Sequence, residues 1–198
     1  MAIVVEHDKR KYEILEKSLQ IFAEEGYEAV TFQKIADRCE ITRTTLYIYF
    51  NNKRDIFLGC IKQLLQGLEK SLNVILQDES LSAEEALRQT MTTTIDSCKN
   101  NISLFSVLLE YLIQLKKSGK DPKKAFRRRL IRHRHILSQL IIRGIKDGSF
   151  KSDLNVHTAN ELLFSIVESS IYRIAALDEN ELSDTKKTID FAVDCLLK

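Results

Sequence analysis

Apolar residues recur at helical spacing along nearly the whole of this 198-residue chain, and the breaks in that spacing divide it into about nine helices. Tyr12, Leu15, Leu19 and Phe22 line one face of a first helix. Asp8 is placed to cap that helix, and Gly26 lies just past its end, where glycine takes a left-handed backbone cheaply. Thr31 caps a short second helix with Ile35 and Ala36 facing inward. A turn falls at Cys39-Glu40-Ile41, and Thr42 caps a third helix from Arg43 to about Tyr49, with Leu46 and Phe50 toward the core.

From Lys53 to about Leu76 the residues Phe57, Ile61, Leu64, Leu65, Leu68, Leu72 and Ile75 form one continuous stripe, predicting a helix roughly 35 Å long. Ser82 and Glu85 have the spacing of a capping box for a helix burying Leu87, Met91, Ile95 and Cys98. Between Ile102 and Leu115 apolar residues cover most of the circumference, which predicts a central helix, and Ser103, Ser106, Glu110 and Gln114 make its one polar stripe, read as solvated. Pro122 opens the next helix, where its missing N–H costs nothing, and Asp147-Gly148 ends it. Phe126, Leu130, Leu137, Leu140 and Ile141 share its apolar face, with His133 in the middle and Arg129 at the border. Residues 156–177 and 183–197 read as two closing helices, the first carrying small residues such as Ser169, Ser170 and Ala175 that permit close approach.

The expected fold is all-α, a three-helix head over residues 1–55 followed by a larger helical bundle over 56–198. One proline and six glycines agree, since an all-β chain of this length needs many more turns. No run approaches ~18 uncharged apolar residues and the start lacks a signal-peptide order, so no membrane span and a cytoplasmic location are expected. Cys39, Cys60, Cys98 and Cys195 have no zinc or redox spacing; Cys60, Cys98 and Cys195 fall in apolar stripes and are expected to be buried. No metal, cofactor or catalytic constellation emerges: there is no glycine-rich phosphate loop, and His133 and His135 point to nearly opposite sides of a helix.

Net charge is +2, unevenly spread. Residues 1–55 are net −1, whereas residues 116–135 are net +9. The basic segment is read as a solvated helix, with an anion site or a field that steers DNA as the other reading. Any DNA binding by the head must therefore come from single placed residues rather than from bulk charge.

Those residues are present. Two short helices joined by a tight turn, with short polar or cationic groups at the start of the second, form a helix-turn-helix that presents its second helix to the major groove. Arg43 suits guanine O6 and N7, Thr44 offers a hydroxyl and a methyl, and Tyr47, Tyr49 and Lys53 are spaced for phosphates. A pair of ordinary short helices with exposed threonines is the alternative. Phe22-Ala-Glu-Glu-Gly26-Tyr27, Thr31, Ile35-Ala36 and Leu46-Tyr47-x-Tyr49-Phe50-x-x-Lys53 stand in the order and spacing of the TetR family of bacterial transcriptional regulators, which residues 10–57 closely resemble. The resemblance implies base contacts from Arg43 and Thr44, and backbone contacts from Thr31, Thr45, Tyr47, Tyr49 and Lys53; Thr42, the cap of the same helix, is counted with the DNA-binding residues. Cys39-Glu40 departs from the family's usual Ala-Gly in the turn, and a left-handed glutamate there costs roughly 1 kcal/mol more than glycine.

The resemblance also implies a homodimer joined through residues 156–177 and 183–197, a double-stranded DNA operator, a small-molecule effector and repression relieved by that effector. An effector pocket is expected near Phe105, Leu108, Leu112, Arg129 and His133, with a hydrogen-bonded core histidine as the other reading of His133. The rival keeps the DNA-binding head but has a body answering to a protein partner; a helical enzyme is a distant third. A cavity of several hundred Å³ inside the body would speak for a ligand.

Overall fold

The computed structural model describes residues 2–119, 121–177, 179 and 183–198; the side chains of residues 2–5, 122–130 and 183 are outside that description. Among the described residues there are nine helices and no named strand: α1 (Ala2–Ala29), α2 (Phe32–Arg38), α3 (Arg43–Tyr49), α4 (Lys53–Gln77), α5 (Ala83–Asn100), α6 (Ile102–Lys117), α7 (Pro122–Asp147), α8 (Val156–Leu177) and α9 (Ser183–Asp194). None is long and apolar enough to cross a membrane.

The helix ends follow local chemistry. The hydroxyls of Thr31, Thr42 and Ser82 accept from the N–H of Lys34, Thr45 and Glu85, and the side chain of Asn52 accepts from the N–H of Asp55. Glu85 also accepts from the Ser82 N–H, completing the capping box. Asp8 does not start α1: nothing upstream breaks a helix, so it begins at Ala2. Gly26, at φ 79°, interrupts α1 before its last turn.

The turn between α2 and α3 is closed by Glu40 at φ 57°, the one non-glycine residue with positive φ among those described. The Glu40 N–H reaches Asp37 O at 3.0 Å and the Ile41 N–H reaches Ala36 O at 3.0 Å, the paired bonds of a Schellman cap. The residue that departed from the family pattern thus carries the expected strained geometry without reshaping the turn.

Two cores run through the molecule. The first joins the head to α4 and α6, with Phe22, Ile35, Leu46, Phe57, Ile61 and Tyr111 all buried. It continues past residue 55, because α1 packs on both α4 and α6. The second fills the body with Leu72, Leu87, Met91, Leu137, Leu163 and Val193. Here α5 is the central helix, packed against α4, α7, α8 and α9. Arg88 fastens it to α9 through Asp190 at 2.8 Å and through Asp194.

The expected centrality of α6 is corrected by the structure. Ser103, Glu110, Ile113 and Gln114 face solvent, and α6 lies along α1 and α8 as a strut between head and body. Cys39, Cys60 and Cys98 are buried, and desolvation pushes each thiol above its ordinary range, that of Cys98 to about 12. Cys195 is exposed, contrary to expectation. Helix α9 stops at Asp194, and the chain then turns to pair Leu197 with Phe150.

Candidate DNA-binding head and effector site

Arg43, Thr44 and Tyr47 are exposed along α3, and Tyr49 is half-buried. The Arg43 guanidinium donates to the Tyr47 hydroxyl at 3.2 Å, and the Tyr47 ring rests on Phe32 with centroids 4.6 Å apart. The Thr42 and Thr45 hydroxyls are hydrogen-bonded to each other at 2.8 Å, so both work locally as the cap of α3. Thr31 is exposed and caps α2.

Lys53 is turned toward the head's own backbone. Its ammonium donates to the carbonyls of Tyr27 at 2.8 Å and Glu28 at 3.3 Å, and it lies 4.4 Å from the centre of the Tyr27 ring. Two of its three N–H bonds are thereby used, and a phosphate would take the third. Two of the head's cations are neutralised locally. Arg38 and Lys34 on α2 pair with Glu24 and Glu25 on α1, each at 2.5 Å, and the Arg38 guanidinium holds the Glu24 carboxyl below its usual range.

In the body the expected effector residues separate into two places along α4. Phe105 and Leu108 of α6 close against Ile61, Leu64 and Leu65 with no space for a water molecule. His133 of α7 lines a cavity of about 50 Å³ with Leu65, Leu68, Leu72 and Ile136, over which Arg132 pairs with Glu69 at 2.9 Å. Leu112 packs against the head-side core instead. The side chain of Arg129 is outside the described residues.

His133 Nε2 is buried with no hydrogen-bond partner among the described residues. Desolvation, with the nearby Arg134 charge, pushes its pKa down to about 4, so the ring is neutral at neutral pH.

Larger openings lie where the sequence did not point. A groove of about 360 Å³ runs between Leu15 and Leu19 of α1, Cys60, Leu64 and Leu68 of α4, and Ser97 of α5. It abuts a recess of about 770 Å³ at the head, where Lys11, Arg54 and Lys62 stand with Asp8 and Asp55. Leu64 is a wall of both the groove and the Phe105 seam, and Leu65 of both that seam and the His133 cavity.

A sequence model of the bacterial regulatory proteins of the tetR family matches residues 14–60, the segment that holds this head. Residues 14–60 are thus a tetR-type DNA-binding head. The protein is a DNA-binding transcriptional regulator. The chain is similar to the fatty acid metabolism regulator protein of Bacillus subtilis, 23% identical over 160 residues and 80% of each chain. It is also similar to the HTH-type transcriptional repressor KstR2 of Rhodococcus jostii, 26% identical over 157 residues, covering 78% of this chain and 74% of that one. Its fold matches the crystal structure of the regulator FadR from Bacillus subtilis in complex with stearoyl-CoA. That match has a TM-score of 0.75 at 20% identity and covers 94% of this chain and 97% of that one.

One feature of this tetR-family head was missed from sequence. The first turns of α1 run beside α3, so that the His7 ring stacks on Tyr49 with centroids 4.7 Å apart and the Lys11 ammonium lies 5.2 Å from the centre of the Phe50 ring. Placing the helix start at Asp8 hid this; the absence of any helix breaker upstream was the available signal.

Proposed function

We propose that this regulator is a homodimeric, cytoplasmic repressor that leaves its operator when a mainly apolar small molecule binds its body. Residues 1–55 are the DNA-binding unit, with Arg43 and Thr44 reading bases and Thr31, Thr42, Thr45, Tyr47, Tyr49 and Lys53 serving the phosphate backbone directly or through the caps. Residues 56–198 hold the effector and pair two copies through α8 and α9.

The observation that carries this reading is the position of α4. Its first residues hold the head through Lys53, and it walls the head recess, the groove, the Phe105 seam and the His133 cavity. A molecule that parts α4 from α1, α6 or α7 therefore moves the head. In a dimer this changes the spacing of two heads that must meet major grooves about 34 Å, or a multiple of it, apart. Leu162, Tyr172 and Leu177 of α8 and Phe191 of α9 are each about half exposed or more, with small residues between them, which supports pairing through these helices.

The stearoyl-CoA complex of FadR supports a long acyl thioester as the class of effector. The apolar groove suits an acyl chain, and Lys11, Arg54 and Lys62 suit the phosphates of its polar end. The closed seam at Phe105 and Leu108 is what a body answering to a protein partner would have. The open groove on the same helix favours the small molecule.

The test is to select bound DNA for an operator, then titrate the complex with stearoyl-CoA, stearate and coenzyme A separately. Release by the thioester at lower concentration than by either part is expected. Operator binding unaffected by all three would remove the acyl thioester. A monomer at micromolar concentration in sedimentation would remove the dimer.

A further inference from the structure

Head and body meet at a cluster of rings with polar groups at its edge. Tyr27, in the last turn of α1, has its ring centroid 5.0 Å from those of Phe57 on α4 and Tyr111 on α6. Phe57 and Tyr111 are themselves 5.0 Å apart, edge to face. Tyr111 is 4% exposed, yet its hydroxyl accepts a hydrogen bond from Arg54 Nε at 2.9 Å. Lys53, the residue before Arg54, grips the Tyr27 and Glu28 carbonyls. Consecutive residues at the start of α4 thus hold α1 with one side chain and α6 with the other.

We propose that Tyr111 is a positioning residue for the DNA-binding head: through Arg54 it fixes the first turn of α4 against α6, and breaking that bond lets the head tilt. The geometry makes the contact directional. Ring packing among Phe57, Tyr27 and Tyr111 resists separation of the helices but tolerates sliding. The Arg54–Tyr111 bond, charge-assisted and at the cluster's edge, sets the register along the helix axes. Arg54 also lines the recess at the head, so its guanidinium is shared between Tyr111 and whatever occupies that recess. An anionic occupant competing for Arg54 loosens the same bond that a shift of α6 would break. Two disturbances at different places therefore converge on one hydrogen bond.

This rests on the reading that α4 carries motion to the head, but it can be tested without an effector. The variants Tyr111→Phe, which keeps the ring, Arg54→Gln, and the double variant are compared as full-length protein by hydrogen exchange and by binding to a selected operator fragment. Each single change is expected to speed amide exchange in residues 53–57 and 27–29 and to weaken operator binding about threefold to tenfold, with the thermal midpoint of the body little changed. The double variant should match the single ones, because both remove the same bond. Additive losses, or wild-type exchange and wild-type affinity in Tyr111→Phe, overturn the proposal. If stearoyl-CoA has no effect on DNA binding but these variants behave as described, the effector reading fails and the positioning role stands.

Discussion

The Arg43 guanidinium lies along the recognition helix against Tyr47, 3.2 Å from its hydroxyl and 5.7 Å from the centre of its ring. The side chain proposed to read a base is therefore held against Tyr47 before DNA arrives. Arg43→Ala should weaken specific binding by about 1–3 kcal/mol and relax one position of the operator. Tyr47→Phe, which frees the guanidinium but keeps the ring, should cost less. Selection of bound sequences with each variant is the check, and an unchanged preference in Arg43→Ala removes it as a base reader.

Lys53 offers a sharper discrimination than the sequence allowed, because its ammonium is already engaged by two carbonyls. If its third N–H meets a phosphate, Lys53→Ala lowers the slope of log affinity against log salt by about 0.9. The expected outcome is that drop together with reduced stability of the head. Reduced stability at constant slope would assign Lys53 to anchoring alone.

Glu40 supplies a test of backbone strain. Its φ of 57° suits glycine, and its side chain is exposed, 3.6 Å from Lys17 in a pair worth little. Glu40→Gly should stabilise the protein by about 1 kcal/mol, raising the midpoint by roughly 2–4 °C. A lower midpoint would mean that the added freedom of glycine in the unfolded chain outweighs the relief of strain.

His133 links stability to acid. Its folded pKa, about 4, lies below the ordinary 6.5, so the unfolded state binds the extra proton. The stabilising contribution is complete above about pH 6.5 and shrinks as pH falls toward 4. Between pH 7 and pH 5 it amounts to about 2 kcal/mol by linkage. Urea unfolding at both pH values should show the acid loss shrinking by about that amount in His133→Leu; an equal loss in both proteins would contradict the buried, neutral ring.

The head was legible because its signals are local. Thr31, Thr42 and Asn52 each cap a helix through an atom three residues away, and Gly26 and Glu40 bend the chain where their positions required. What the sequence hid depends on distant segments. The seam at Phe105 and the separate cavity at His133 follow from how α4, α6 and α7 are rotated, which no single helical face reveals. Lys53 reads as a free cation until α1 is seen to end beside it. Cys195 reads as a helical stripe position until Leu197 pairs with Phe150 across the fold.

Pairing Lys34 and Arg38 with Glu25 and Glu24 has a consequence for the search along DNA. With these two cations paired and a net charge of −1, the head has a weaker purchase on random duplex than a basic head would. A smaller fraction of copies would then be sequestered by non-operator sequence than for a basic-headed protein. Operator occupancy would then track the amount of protein more closely.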